Sequence, residues 1–137
     1  MTGTRVGSGG TLILDSEGLA KVVSRDSSAL AWLTTAARED LRVATSAATV
    51  VEVMHPRIRR AALDWTLSRI IVEPVTGEVA QRAARLLAKA GLHGHKYAID
   101  AMLSATALGS QAPIIVLTSD PDDLAVLCGP AVTIVKI

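Results

Sequence analysis

Asp15, Glu52, Asp100 and Asp120 are the side chains of this sequence whose settings are hardest to explain by folding alone. Asp15 directly follows the apolar run Thr11-Leu12-Ile13-Leu14, and Asp120 follows PIIVLTS, which begins at Pro113. Glu52 interrupts Ala47-Ala48-Thr49-Val50-Val51 and Val53-Met54, and Asp100 lies in AIDAMLSATAL, where helices packed on a sheet favour apolar side chains. A carboxylate in such a setting is costly unless paired or bound to metal. A pocket lined by acids, with no cysteine close by and few histidines, suits a hard divalent cation such as Mg²⁺ or Mn²⁺. That donor set points to metal-assisted phosphoryl chemistry, and mutual repulsion among the acids predicts a raised pKa on at least one of them.

Each acid also has a plainer explanation. Asp120, before Pro121 and with Asp123 three residues on, is a good helix N-cap, and Asp15 could cap the helix after it. Glu52 could face solvent or pair with Arg57 or Arg59, and Asp100 could pair with Lys96 one turn earlier. These explanations work singly, but together they need four acids to reach one sheet edge by coincidence.

The elements that must position the acids read as an α/β alternation. Strands are expected at 11–14, 41–45, 70–72, 113–117 and 131–135. Two short helices follow the first strand, the second capped by Ser27 or Ser28, and Ser46 caps a helix through Met54. Pro56 redirects the chain, and a helix runs from about Arg57 to Ser68. Thr76 opens a long helix that stops at Gly91, His93-Gly94-His95-Lys96 is a loop, and Tyr97 to Leu108 is helical up to Gly109. A short helix over 121–127 precedes the last strand. Such alternation implies a mostly parallel sheet of four to five strands flanked by helices, with 11–14 and 113–117 as its central pair. Asp15 and Asp120 then emerge at C-terminal strand ends, where ligands collect in open parallel sheets. Strands about 4.8 Å apart let both acids reach one cation.

Composition bounds the rest. The chain has 137 residues, enough for one domain with a real core, and a formal net charge of +1, so nucleic-acid contact must come from a local patch. Residues 1–10 (MTGTRVGSGG) read as a flexible tail before a domain over 11–137. Cys128 sits in an apolar run as a small hydrophobe, and no stretch is long enough for a membrane span, so a soluble, cytoplasmic protein is expected. Only Trp32, Trp65 and Tyr97 are aromatic, which argues against a base-stacking platform. Arg57, Arg59 and Arg60 form the densest basic cluster, either a solvated face or a hold on RNA backbone. His95 and Lys96, about one turn before Asp100, are candidates for contact with a substrate phosphate. GSGG precedes the first strand, so it is no phosphate-binding loop, and no nucleophile elbow is visible.

Taken in order, Leu14-Asp15-Ser16, Thr45-Ser46 leading to Glu52, Tyr97-Ala98-Ile99-Asp100-Ala101 with Ala105 and Ala107, and Val116-Leu117-Thr118-Ser119-Asp120 resemble the PIN domain. The series looks most like the bacterial VapC-type toxins, over about residues 11 to 137. The resemblance implies a three-layer fold and a Mg²⁺- or Mn²⁺-dependent endoribonuclease whose acidic quartet falls on Asp15, Glu52, Asp100 and Asp120. It implies supporting roles for Ser16, for Thr118, matching a hydroxyl that orients the site, and for Asp123. It further implies an RNA substrate, a homodimer and a small antitoxin that docks a helix and inserts a basic residue toward the acids. Glu17 and Asp122 are extra acids relative to many relatives and leave open which side chains touch metal. The competing readings are a PIN-like module that has lost cleavage and only binds RNA or protein, and a phosphotransfer receiver or phosphatase, whose required acid pair Asp15 and Glu17 supply only loosely.

Overall fold

A computed structural model of the chain describes residues 9–137. Two apolar runs form its centre: β1 (Thr11–Leu14) and β4 (Ile114–Thr118) pair in parallel, with Leu14 beside Leu117. On the other side of β1 lies β2 (Arg42–Ser46), then β3 (Ile71–Glu73), while β5 (Thr133–Lys136) flanks β4. The sheet is therefore five-stranded, all parallel, in the order β3-β2-β1-β4-β5. The strand order reverses direction between β1 and β4, which makes their C-terminal ends the crevice of the fold.

Among the described residues seven α-helices cover the sheet: α1 (Ser16–Val23), α2 (Ser27–Arg38), α3 (Ala47–Glu52), α4 (Arg60–Leu67), α5 (Gly77–Ala90), α6 (Gly94–Leu108) and α7 (Pro121–Cys128). Alternation along β1 splits the core in two. Leu12, Leu14 and Leu117 pack with Leu19, Val22 and Val23 of α1, Ala29 and Ala36 of α2 and Leu63 of α4. Ile13, Ile114 and Val116 face the opposite way, onto Leu103 and Ala107 of α6 and Leu124 and Cys128 of α7. The result is a three-layer α/β fold. Helix α5 packs outside α6, with Ala83 against Ala101 and Ala105. Small side chains let α6 lie buried between the sheet and α5.

Several boundaries differ from the sequence expectation. Strand β2 ends at the buried Ser46 and β3 begins at Ile71, each shifted by a residue; β3 lies at the sheet edge, half-exposed, and carries little burial pattern. Helix α3 ends at Glu52, and α4 begins only at Arg60, since residues 55–58 form a turn closed by the Ile58 N–H on the His55 carbonyl at 3.1 Å. Asp26, not Ser27 or Ser28, caps α2, accepting from the Ala29 N–H at 3.1 Å. His95 and Lys96 are helical, not loop: α6 starts at Gly94 and bends at Tyr97, whose φ of −114° and ψ of 15° break the helical run. Thr76 and Gly91 end α5 as expected, with Gly91 left-handed at φ 70°. The first eight residues of the expected tail lie outside the described residues. Gly9 and Gly10 are tied into the domain, with the Gly9 N–H on the Asp40 carbonyl at 3.2 Å and the Arg42 N–H on the Gly10 carbonyl at 2.9 Å.

Candidate active site

Parity along the central strands aims the first acid. Asp15 continues the Ile13 side of β1 and Thr118 continues the Val116 side of β4, so both turn toward α6, which carries Asp100. The Asp15 N–H reaches the Leu117 carbonyl at 3.3 Å, extending the ladder by one rung beyond the paired residues. The Leu14 carbonyl is held by the Thr45 hydroxyl at 2.6 Å, which pins the end of β1 to β2.

Asp15 is 8% exposed and has two anchors. Its Oδ1 accepts from the Gly18 N–H at 2.8 Å, the helix cap expected from sequence, and its carboxylate also receives the Thr118 hydroxyl. Thr118, fully buried, in turn accepts the Asp120 N–H at 3.0 Å, so one hydroxyl joins the ends of β1 and β4. Burial raises the Asp15 pKa above its ordinary value, and the hydrogen bonds from Thr118 and Gly18 oppose it, while Glu17 and Glu52 add repulsion.

Asp100 shows the convergence most clearly. Its pKa is pushed up to about 6, first by burial and then by the negative charges of Glu52, Asp15, Asp123 and Asp120. These acids come from α3, the end of β1, the first turn of α7 and the junction before it, segments far apart in sequence. Asp120 occupies the N-cap position of α7 yet its side chain makes no capping hydrogen bond, so the cap explanation does not account for it. Among the described residues no cationic side chain pairs with Glu52, Asp100 or Asp120: Arg60 takes Asp64 at 3.6 Å, and Lys96 sits over the Tyr97 ring at 5.2 Å.

The donor set suits a hard divalent cation, since the converging groups are carboxylates without basic partners. The side chains do not close on one point, however. Among the described residues no three His, Cys, Asp or Glu side chains stand in an arrangement that could hold a metal ion. Glu52 is exposed at the rim, although sequence placed it on an apolar face, and Asp120 is exposed as well.

The remaining candidates separate. Asp123 joins the acids, Glu17 acts on Asp15, and Asp122 is exposed in the first turn of α7. Ser16 is half-buried at the start of α1 and makes no hydrogen bond to the acids. Arg57 and Arg59 line a cavity of about 370 Å³ between the segment after α3 and Ala20, Lys21 and Val23 of α1. His95 leans on His93 with ring centroids 5.6 Å apart. None of these basic groups is among the charges that most affect Asp15 or Asp100, which are all acidic.

Gly18 escaped the sequence analysis. A Cβ there would stand 2.9 Å from the Leu117 carbonyl oxygen and 3.5 Å from Asp15 Oδ1, so α1 can approach β4 only without a side chain. A glycine inside a first helical turn, where it costs helix stability, was the available signal.

The PIN domain model matches residues 12–129. Among solved structures, VapBC2 from Rickettsia felis bound to a DNA fragment from their promoter aligns with a TM-score of 0.65 at 14% identity, over 93% of this chain and 98% of that one. A toxin-antitoxin complex from Klebsiella pneumoniae aligns with a TM-score of 0.66 at 22% identity, over 90% and 96% of the two chains. VapBC-5 from Mycobacterium tuberculosis, a member of the VapBC family of toxin-antitoxin systems, gives a TM-score of 0.54 at 25% identity, over 93% and 98%. No curated protein matches the sequence. With a parallel five-stranded sheet, acids gathered at the β1–β4 crevice and a family match over most of its length, this chain belongs to the PIN domain family.

Proposed function

We propose that the protein is a Mg²⁺- or Mn²⁺-dependent endoribonuclease and the toxin of a VapBC-type toxin-antitoxin pair. The observation that carries this assignment is the convergence of Asp15, Glu52, Asp120 and Asp123 on Asp100 with no neutralising cationic side chain among the described residues. The antitoxin partner is supported by the complexes that share its fold. A homodimer and a cytoplasmic location follow from the same family reading; among the described residues no helix is long and apolar enough to cross a membrane.

Asp15, Asp100 and Asp120 would hold the cation, with Glu52 completing the set. A bound divalent cation supplies polarisation of the scissile phosphate and acidification of an attacking water. Asp15 is the fixed member, because Gly18 and Thr118 hold its carboxylate in place. Thr118 couples it to the Asp120 backbone, so the ends of β1 and β4 keep their spacing as the site loads. Asp100, its pKa raised to about 6 by burial and by the neighbouring carboxylates, would gain most from a cation among them, and Asp123 adds negative charge at the edge. Arg57, Arg59, Arg60, His95 and Lys96 are proposed to hold RNA backbone outside the acids, as exposed cations suit phosphate positioning.

The decisive experiment is cleavage of single-stranded RNA by purified protein with Mg²⁺, with Mn²⁺ and with chelator. Cleavage is expected only with metal, and Asp15→Asn is expected to abolish it while leaving the circular dichroism spectrum unchanged. Metal-independent cleavage that survives Asp15→Asn refutes the assignment.

A further inference from the structure

Among the described residues one buried hydroxyl is left without a use. Thr49 is 1% exposed, and its Oγ1 has no hydrogen-bond partner. Comparable hydroxyls are all engaged: Thr66 donates to the Ala62 carbonyl at 2.8 Å, Ser104 to the Asp100 carbonyl at 2.8 Å and Thr106 to the Met102 carbonyl at 2.9 Å. Those bonds reach four residues back within a helix. Thr49 lacks that option because the residue four earlier, Thr45, belongs to β2. A buried hydroxyl is costly to leave unsatisfied, so an arrangement that supplies an acceptor gains stability from it.

Position suggests the missing acceptor. Thr49 and Glu52 are three residues apart on α3 and share a helix face. Helix α3 packs on α6 and β2, and Thr49 is its only buried residue, so this face is the one turned inward. Glu52 stands exposed one turn further out along the same face. Its charge reaches both Asp100 and Asp15, which places that face toward the acids. The Glu52 carboxylate and those of Asp100 and Asp15 are thus close enough to interact, on the side of α3 that buries the unpaired hydroxyl.

We propose that Thr49 is a positioning residue: its hydroxyl donates to the Glu52 carboxylate when that side chain turns inward to share a divalent cation with Asp15, Asp100 and Asp120. This rests on the metal-site assignment proposed above. Once the negative charges are neutralised the repulsion on Glu52 disappears, and the waiting hydroxyl fixes one orientation of a flexible side chain, which lowers the ordering cost of binding.

The test is Mn²⁺ binding, followed by calorimetry and by the paramagnetic signal of the free ion, on wild type, Thr49→Val, Thr49→Ser, Glu52→Ala and Thr49→Val combined with Glu52→Ala. Valine keeps the shape and deletes the hydroxyl, so the metal-free protein is expected to melt no lower than wild type. Mn²⁺ affinity is expected to fall about tenfold, the loss of one hydrogen bond to a charged group. Serine is expected to keep near-wild-type affinity, and Thr49→Val is expected to cost nothing further in the Glu52→Ala background. Thr49→Ala serves as a second variant without the hydroxyl. Wild-type affinity in both hydroxyl-free variants overturns the proposal, as does an equal loss with and without Glu52. A wild-type protein that binds no Mn²⁺ overturns the metal-site assignment itself, a failure seen before any Thr49 variant is compared.

Discussion

Asp100→Asn makes the electrostatics of the acid pocket measurable without any ligand. The native pKa of Asp100 is raised from 3.8 to about 6, so between these values the folded protein binds more protons than the unfolded chain. Stability linked to this group is therefore full below about pH 4 and is lost as pH rises through 6. About two pKa units at 1.36 kcal/mol each give about 3 kcal/mol, and partial contact with water reduces this to about 1 to 2 kcal/mol. Asparagine has nearly the same shape and carries no charge at any pH. In chelator, thermal melting should place Asp100→Asn level with wild type near pH 4 and about 3 to 6 °C above it at pH 7.5, with the gap opening between pH 4 and 6. Mn²⁺ should raise the melting temperature of wild type and leave the variant almost unmoved, reversing the order of the two. A stability gap that is independent of pH, or a variant that melts below wild type at pH 7.5 in chelator, would refute the claim that the clustered carboxylates repel one another in the folded state.

Two further substitutions probe the frame around the acids. Gly18→Ala puts a methyl group 2.9 Å from the Leu117 carbonyl oxygen, and chemical denaturation should show a loss of about 1 to 3 kcal/mol; wild-type stability would mean that α1 does not lie this close to β4. Thr118→Val removes a hydrogen bond that lowers the Asp15 pKa, so carboxyl NMR titration of the metal-free protein should find Asp15 titrating at higher pH, and an unmoved titration would show that the hydroxyl does not stabilise the ionised form.

The legible parts of this fold are those where burial writes a pattern. TLIL and PIIVLTS are continuous apolar runs because β1 and β4 are covered on both faces, and their central placement followed from that alone. Strand β3 carries the sequence Ile71-Val72-Glu73 at the sheet edge, half in solvent, so its bounds had no such signature. The break at Tyr97 hid the first turn of α6, because a bent helix with exposed His95 and Lys96 before the bend has the composition of a loop. Of the acids, Asp15, Asp100 and Asp120 were legible from strand ends and from a charge in an apolar helix. Glu52 was singled out as a charge interrupting an apolar helix; its side chain stands exposed at the end of α3, yet its field does reach Asp100 and Asp15. The features of Thr49 and Gly18 were not legible, since an unsatisfied hydroxyl and a close backbone approach exist only in three dimensions.

The alternation that sends Leu12 and Leu14 to one core and Ile13 to the other also decides where Asp15 points. Core and chemistry are thus written in the same rhythm. Sliding β1 by one residue against its neighbours would swap the two cores and swing the acid toward the helices on the opposite face, away from Asp100. An insertion or deletion within Thr11–Leu14 should therefore cost the protein its pocket even where enough greasy side chains remain to keep it folded, whereas a change of length in the short turn between Gly91 and Gly94 leaves this orientation untouched.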